Sequence, residues 1–202
     1  GTITGADTGI VIGGEFAAGH IQDVTVTNPT NAGMEISGQT AATSDGLTVT
    51  GGDYGILVGN SASGSMDFMN IDFDGNTNAG IYYAKDLAGD YSGTVVNSGA
   101  AFKYGSNTDN DVSYSDVTIS SNAIGVESAG SGDFTFTNVT MSNTKDFSIA
   151  GQSNIDFIEG IVDTTAVDVT GTGEFTRMRS MEVELLADTF AVSGATVTLI
   201  DA

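Results

Sequence analysis

Val117-Thr118-Ile119-Ser120-Ser121-Asn122-Ala123-Ile124-Gly125-Val126 holds two short apolar runs around a Ser-Ser-Asn turn. In the first run apolar and polar residues alternate, the mark of a strand with one face buried and one wetted. So short a strand cannot bury its inner face alone, so the stretch folds only if copies of it stack. The copies are present. The first run recurs as Val24-Thr25-Val26, Leu47-Thr48-Val49, Ile71-Asp72-Phe73 and Val139-Thr140-Met141; Val24, Leu47, Ile71, Val117 and Val139 are separated by 23, 24, 46 and 22 residues. Thr94-Val95-Val96 fills the double step and Ile161 continues the series, which runs on less clearly at Met181 to Val183. The second run recurs as Ile10-Val11-Ile12, Met34-Glu35-Ile36, Ile56-Leu57-Val58, Ile81-Tyr82-Tyr83, Phe102-Lys103-Tyr104, Phe147-Ser148-Ile149 and Val167-Asp168-Val169. An aromatic set, Phe68, Tyr91, Tyr114, Phe136 and Phe157, precedes the first run at steps of 23, 23, 22 and 21.

Three registers with one shared period predict three short strands per coil of about 22 residues, stacked as parallel sheets around a continuous apolar interior. The 202 residues then make an all-β solenoid of about nine coils, roughly 40 Å long at the inter-strand spacing of ~4.8 Å. Turn chemistry agrees. Gly9, Gly33, Gly55, Gly80 and Gly125 precede the second strand, where a corner needs a positive φ or close packing. Asn28, Asn76, Asn97, Asn122 and Asn143 follow the first strand, where stacked amides can hydrogen-bond up and down a column.

The units Ile71 to Ile81 and Val117 to Val126 resemble the right-handed parallel β-helix of the pectin-lyase-like superfamily, and the resemblance runs from about Ile10 to Val169. It implies one single-stranded β-helix domain over residues 1–202, with 173–202 a less regular terminal coil or cap. For function it implies a range: polysaccharide lyases and hydrolases, phage tailspikes, adhesins and passive surface modules.

Composition narrows that range. Five Lys and Arg stand against 26 Asp and Glu, a formal net charge of −21. Such a field repels nucleic acid and anionic membranes, and it is tolerated best under salt screening, so the melting temperature should rise with salt. No apolar run is long enough to cross a bilayer. With no Cys, disulfides and thiolate chemistry are excluded.

Catalytic motifs are sparse. The family's galacturonan hydrolases pair an Asn-Thr-Asp with an Asp-Asp, a Gly-His-Gly and an Arg-x-Lys; only Asn107-Thr108-Asp109 matches here, and the one histidine, His20, lies in Ala18-Gly19-His20-Ile21. Lyases need basic residues beside their acidic substrates, and Lys85, Lys103, Lys145, Arg177 and Arg179 are too few and scattered to hold a polyanion against this field. No catalytic residue is assigned. Asn70-Ile71-Asp72-Phe73-Asp74-Gly75 opens like a calcium loop, but Ile81 stands where the closing acid belongs. The candidate metal ligands are Asp72, Asp74, Asp109 and Asp111, and the candidate cofactor is Ca²⁺. Tyr54 and Tyr82, outward aromatics near acids, are the candidate sugar-stacking residues. An outward row of Thr25, Thr27, Thr48, Thr50, Thr118, Ser120, Thr140 and Ser142 resembles the ice-facing array of some β-helical antifreeze proteins, but Asp72, Asp74 and Asn97 interrupt it, and exposed strand threonines need no further role. Asn138-Val139-Thr140 is the one N-glycosylation sequon.

The function expected is a non-enzymatic extracellular or cell-surface module, a rigid spacer, adhesive or lattice component, with glycan binding or cleavage as the alternative. Neither end looks strongly capped, since Gly1 to Ile12 and Ala195 to Ile200 both read as strand. The expected partners are other domains of a longer chain or neighbouring copies stacked end to end, and glycans.

Overall fold

The computed structural model describes residues 1–109 and 111–179. It is a parallel β-solenoid. The second strand set forms one eight-stranded sheet, one strand per coil: Thr8–Ile12, Ala32–Ile36, Tyr54–Val58, Ala79–Tyr83, Ala100–Tyr104, Ile124–Ser128, Lys145–Ile149 and Val167–Val169. That makes eight coils among the described residues, against about nine expected for the whole chain. The strand Glu174–Met178 still pairs in parallel with Gln152–Ile158. The remainder of 173–202, with Met181, Val183 and the strand-like Ala195 to Ile200, lies outside the described residues.

The first and third strand sets are both present, but they share one twelve-stranded sheet. In the middle coils one long strand carries both sets, as in Ser63–Asp74 and Val112–Ser120. The bend between them is a single left-handed residue, Asn70 at φ 53° or Asp116 at φ 56°, which turns the chain without ending the strand. Between the first and second sets the corner is again left-handed, through Gly5, Asn28, Gly51, Gly75, Asn97 and Ser121 at φ between 50° and 76°. Gly and Asn adopt that conformation at least cost, so their recurrence here has a backbone cause.

Glycines before the second strand have a different cause. Gly9, Gly33, Gly55, Gly80 and Gly125 have no left-handed φ; a Cβ on Gly33 would lie 2.3 Å from the Val49 side chain and one on Gly80 2.4 Å from that of Val95. Close packing, not turn geometry, excludes a side chain there.

Like side chains stack on like. Phe68, Tyr91, Tyr114, Phe136 and Phe157 are paired in register and buried, with neighbouring ring centroids 4.6 to 6.2 Å apart. A second stack, Tyr83, Tyr104 and Phe134, has spacings of 4.7 and 4.5 Å. Each buried ring contributes about 1.5–3 kcal/mol of transfer free energy, and stacking adds to it. The hydroxyls of Tyr83, Tyr91 and Tyr104 lie close together, yet none of them, nor that of Tyr114, has a partner in hydrogen-bonding geometry. Burial pushes the Tyr83, Tyr91 and Tyr104 phenols well above their ordinary range, so the interior holds them neutral.

Candidate functional site: the outer faces and the polar columns

Outward residues fall on three faces with different chemistry. On the first-set face the register places Thr2, Thr25, Thr48, Asp72, Thr94, Thr118 and Thr140 in one column, and Thr4, Thr27, Thr50, Asp74, Val96, Ser120 and Ser142 in the next. Asp72 and Asp74 interrupt an otherwise uncharged band.

The eight-stranded sheet presents Val11, Glu35, Leu57, Tyr82, Lys103, Glu127, Ser148 and Asp168 in one outward column. Its cations are matched on the spot. Lys103 lies 2.8 Å from Glu127 and Lys145 2.8 Å from Asp168. Tyr54 and Tyr82, 28 positions apart in the chain, are brought together on this face with ring centroids 5.6 Å apart and planes 25° from parallel.

The third-set face carries the acids. Asp67 and Asp90 stand beside one another, as do Asp86 and Asp109, and Asp111 and Asp133. In each pair the backbone N–H of the later residue donates to the carboxylate one coil before it, at 3.1, 2.6 and 3.0 Å respectively. Asparagines use the same arrangement: Asn70 donates to Asp45 and Asn97 to Asp74 at 2.8 Å, Asn154 to Asp133 at 2.9 Å, and Asn138 to Asp116. These outer carboxylates tie coil to coil.

The four candidate metal ligands do not meet. Asp72 and Asp74 lie on the first-set face, whereas Asp109 and Asp111 lie at the corner beside the third set, where Asp109 also accepts from Ser131 Oγ at 2.8 Å. Among the described residues no three His, Cys, Asp or Glu side chains gather as a metal site. Asn110, between Asp109 and Asp111, lies outside the described residues. The corner does hold two hollows. One, of about 440 Å³, is bounded by Ser63, Lys85, Asp86, Asp109 and Asp111. The other, of about 430 Å³, is bounded by Ser106, Ser131, Gln152, Thr172 and the glycine backbone between them. Asp109 pairs with Ser131 across their boundary, so they follow one another along the axis. The Asn107-Thr108-Asp109 motif serves this corner: Thr108 is buried, and its hydroxyl donates to the Gly105 carbonyl at 2.7 Å. His20 is exposed and pairs only with Thr43.

Inside, the expected asparagine column is short and real. Asn122 accepts from the Ser98 N–H at 2.8 Å and donates to the Val95 carbonyl at 3.0 Å and to Asn143 Oδ1 at 2.9 Å. Asn143 donates from Nδ2 to the Ile119 carbonyl at 3.1 Å and to Asp146 at 3.0 Å. Asn76 extends the column downward, donating to the Gly51 carbonyl at 2.6 Å. Asn28 and Asn97 belong to the left-handed corner beside it. The column ends on Asp146, fully buried, whose carboxylate also accepts the backbone N–H groups of Asn143 at 3.0 Å and Asp163 at 2.9 Å. Asp146 was not singled out in the sequence, but a signal exists: it stands in the glycine position of its coil, where Gly125 stands one coil before. Asp163 caps a 3₁₀ turn, and hydrogen bonds from the Thr165 hydroxyl and N–H hold its carboxyl below the usual range.

No family model, curated protein or solved structure matches this chain.

Proposed function

We propose that the chain is a non-enzymatic extracellular or cell-surface module of pectin-lyase-like architecture, acting as a stiff spacer or adhesive rod. One observation carries the reading: the outer carboxylates hydrogen-bond from coil to coil, at sequence separations of 21 to 25 residues. Side chains occupied in that way serve the rod's cohesion before any chemistry on a substrate. The negative charge on the flanks opposes side-by-side association of such rods and, at the flanks, selects neutral or cationic partners. Neighbouring domains or further copies stacked along the axis are the partners this architecture suits, because an added coil pairs with an open edge strand. Electron microscopy of the protein should show unbranched rods, and a panel of neutral and acidic polysaccharides should release no reducing ends. Turnover that survives repurification would contradict the reading.

A second reading, glycan binding along a flank, is favoured by the Tyr54 and Tyr82 pair, two half-buried rings stacked on one another whose remaining open surface offers a sugar ring an apolar contact. A glycan array tests it: binding lost in Tyr82→Ala supports it, and no binding by the wild type contradicts it. Calcium enters as a candidate ion through acids of which Asp74, Asp109 and Asp111 already accept hydrogen bonds from the neighbouring coil. A melting temperature unchanged by calcium or chelator would remove it.

A further inference from the structure

Only two of the chain's aspartates, Asp45 and Asp74, are followed by glycine, and no asparagine is. An Asp-Gly step is the aspartyl sequence most prone to cyclise, because glycine places no side chain in the path of its own amide nitrogen. The two steps share one local arrangement at different corners of the coil, Asp45-Gly46 at the bend between the third and first strand sets and Asp74-Gly75 at the corner between the first and second. Gly46 and Gly75 are left-handed, at φ 72° and 73°. The Gly46 N–H donates to the Met69 carbonyl at 3.0 Å, and the Gly75 N–H to the Val96 carbonyl at 3.2 Å. The next residues of the neighbouring coil, Asn70 and Asn97, donate from Nδ2 to Asp45 Oδ1 and Asp74 Oδ1, each at 2.8 Å. One coil thus engages both groups that would react in the coil before it, at corners where solvent has access.

We infer that Asp45-Gly46 and Asp74-Gly75 are isoaspartate-forming modification sites, and that Asn70 and Asn97 are the latches that hold them unreacted. When a latch opens, the glycine nitrogen attacks the aspartate Cγ, the new C–N bond forms, and the carboxyl oxygen leaves as water. Water then adds to the α-carbonyl of the five-membered imide and breaks its bond to that nitrogen. The main chain now runs through the former side-chain carboxyl, with one extra methylene and no change of mass. An extra backbone atom at a corner offsets the ladders that pair Asp45 with Met69 and Asp74 with Val96, so the lesion would separate the coils its latch had joined.

The test compares native wild-type protein, urea-unfolded wild-type protein, and the variants Asn70→Gly, Asn97→Gly and Asn154→Ala after long incubation at neutral pH. Glycine keeps the left-handed corner while removing the latch. Asn154→Ala frees Asp133, which precedes Phe134 and serves as the control. Isoaspartate is read by isoaspartyl methyltransferase labelling and peptide mapping. The unfolded chain should react several-fold faster than the native one at both steps. Asn70→Gly should raise isoaspartate at residue 45 alone, Asn97→Gly at residue 74 alone, and Asn154→Ala at neither. The inference is overturned if native and unfolded chains react alike, if neither glycine variant reacts faster than the wild type, or if each raises both steps equally.

Discussion

Asn122 and Asn143 bridge successive coils inside the solenoid, while Asn70, Asn97, Asn138 and Asn154 bridge them on its outer faces. The bonds are alike in length, 2.9 Å from Asn122 to Asn143 and 2.8 Å from Asn97 to Asp74. What differs is water. An outer amide that loses its aspartate finds solvent, whereas the groups around Asn122, which is 1% exposed, would be left with nothing. The same chemical device therefore fastens the rod firmly from within and lightly from without.

The largest effect should come from the end of the inner column. Asp146→Ala leaves the Asn143 N–H, its side-chain amide and the Asp163 N–H without their acceptor, and should cost about 3 kcal/mol or more in denaturant unfolding. Asn122→Ala follows, at about 2–3 kcal/mol, because Ser98 N–H and the Val95 carbonyl lose their partner. A loss below about 1 kcal/mol in both would erase the distinction between inside and outside.

The buried phenols sharpen the comparison through pH. Their pKa values are raised by burial above the ordinary 10.0. A raised value means that the folded state binds the proton more tightly. The corresponding stability is full below pH 10 and is lost as pH rises beyond it, when the unfolded phenols ionise and the buried ones cannot. Circular dichroism should show steep alkaline unfolding, less steep in Tyr83→Phe and Tyr104→Phe. At neutral pH those two variants should be as stable as the wild type or slightly more so, since the hydroxyls removed have no partner.

Outer contacts should matter least. Asn154→Ala is expected to change stability by no more than about 0.5 kcal/mol. Lys103→Ala, which removes the ion pair to Glu127, should cost about 0–1 kcal/mol and less still in high salt.

The coil, its period and the inward ladders were legible in the sequence because stacking imposes one repeat on every inward position. Phe68, Tyr91, Tyr114, Phe136 and Phe157 align by their spacing alone. The merging of two strand sets into one sheet was not legible, because one left-handed Asn or Asp decides it and both residues also occur in ordinary turns. The latches were hidden for another reason. Whether Asn97 meets Asp74 depends on register between coils of unequal length, and that register shifts between Tyr91 and Gly93. Tyr54 and Tyr82 are not register partners, since Tyr54 lies opposite Ala79 and Tyr82 opposite Leu57, so their ring contact is not readable from the repeat. Asp146 was missed because a buried carboxylate in a column of glycines reads, in a chain so rich in Asp, as one more surface acid.

Because the chain contains no cysteine, its stacking can be tested one register pair at a time. Thr118 and Thr140 are directly paired on the first-set face, as are Thr25 and Thr48. Neighbouring strands bring such Cα atoms within disulfide range. Double variants Thr118→Cys/Thr140→Cys and Thr25→Cys/Thr48→Cys should oxidise readily to intramolecular disulfides without loss of the native circular dichroism spectrum, and the cross-pair Thr25→Cys/Thr140→Cys should not. Efficient closure of the distant pair, or failure of both matched pairs in the folded protein, would contradict the stacked coil.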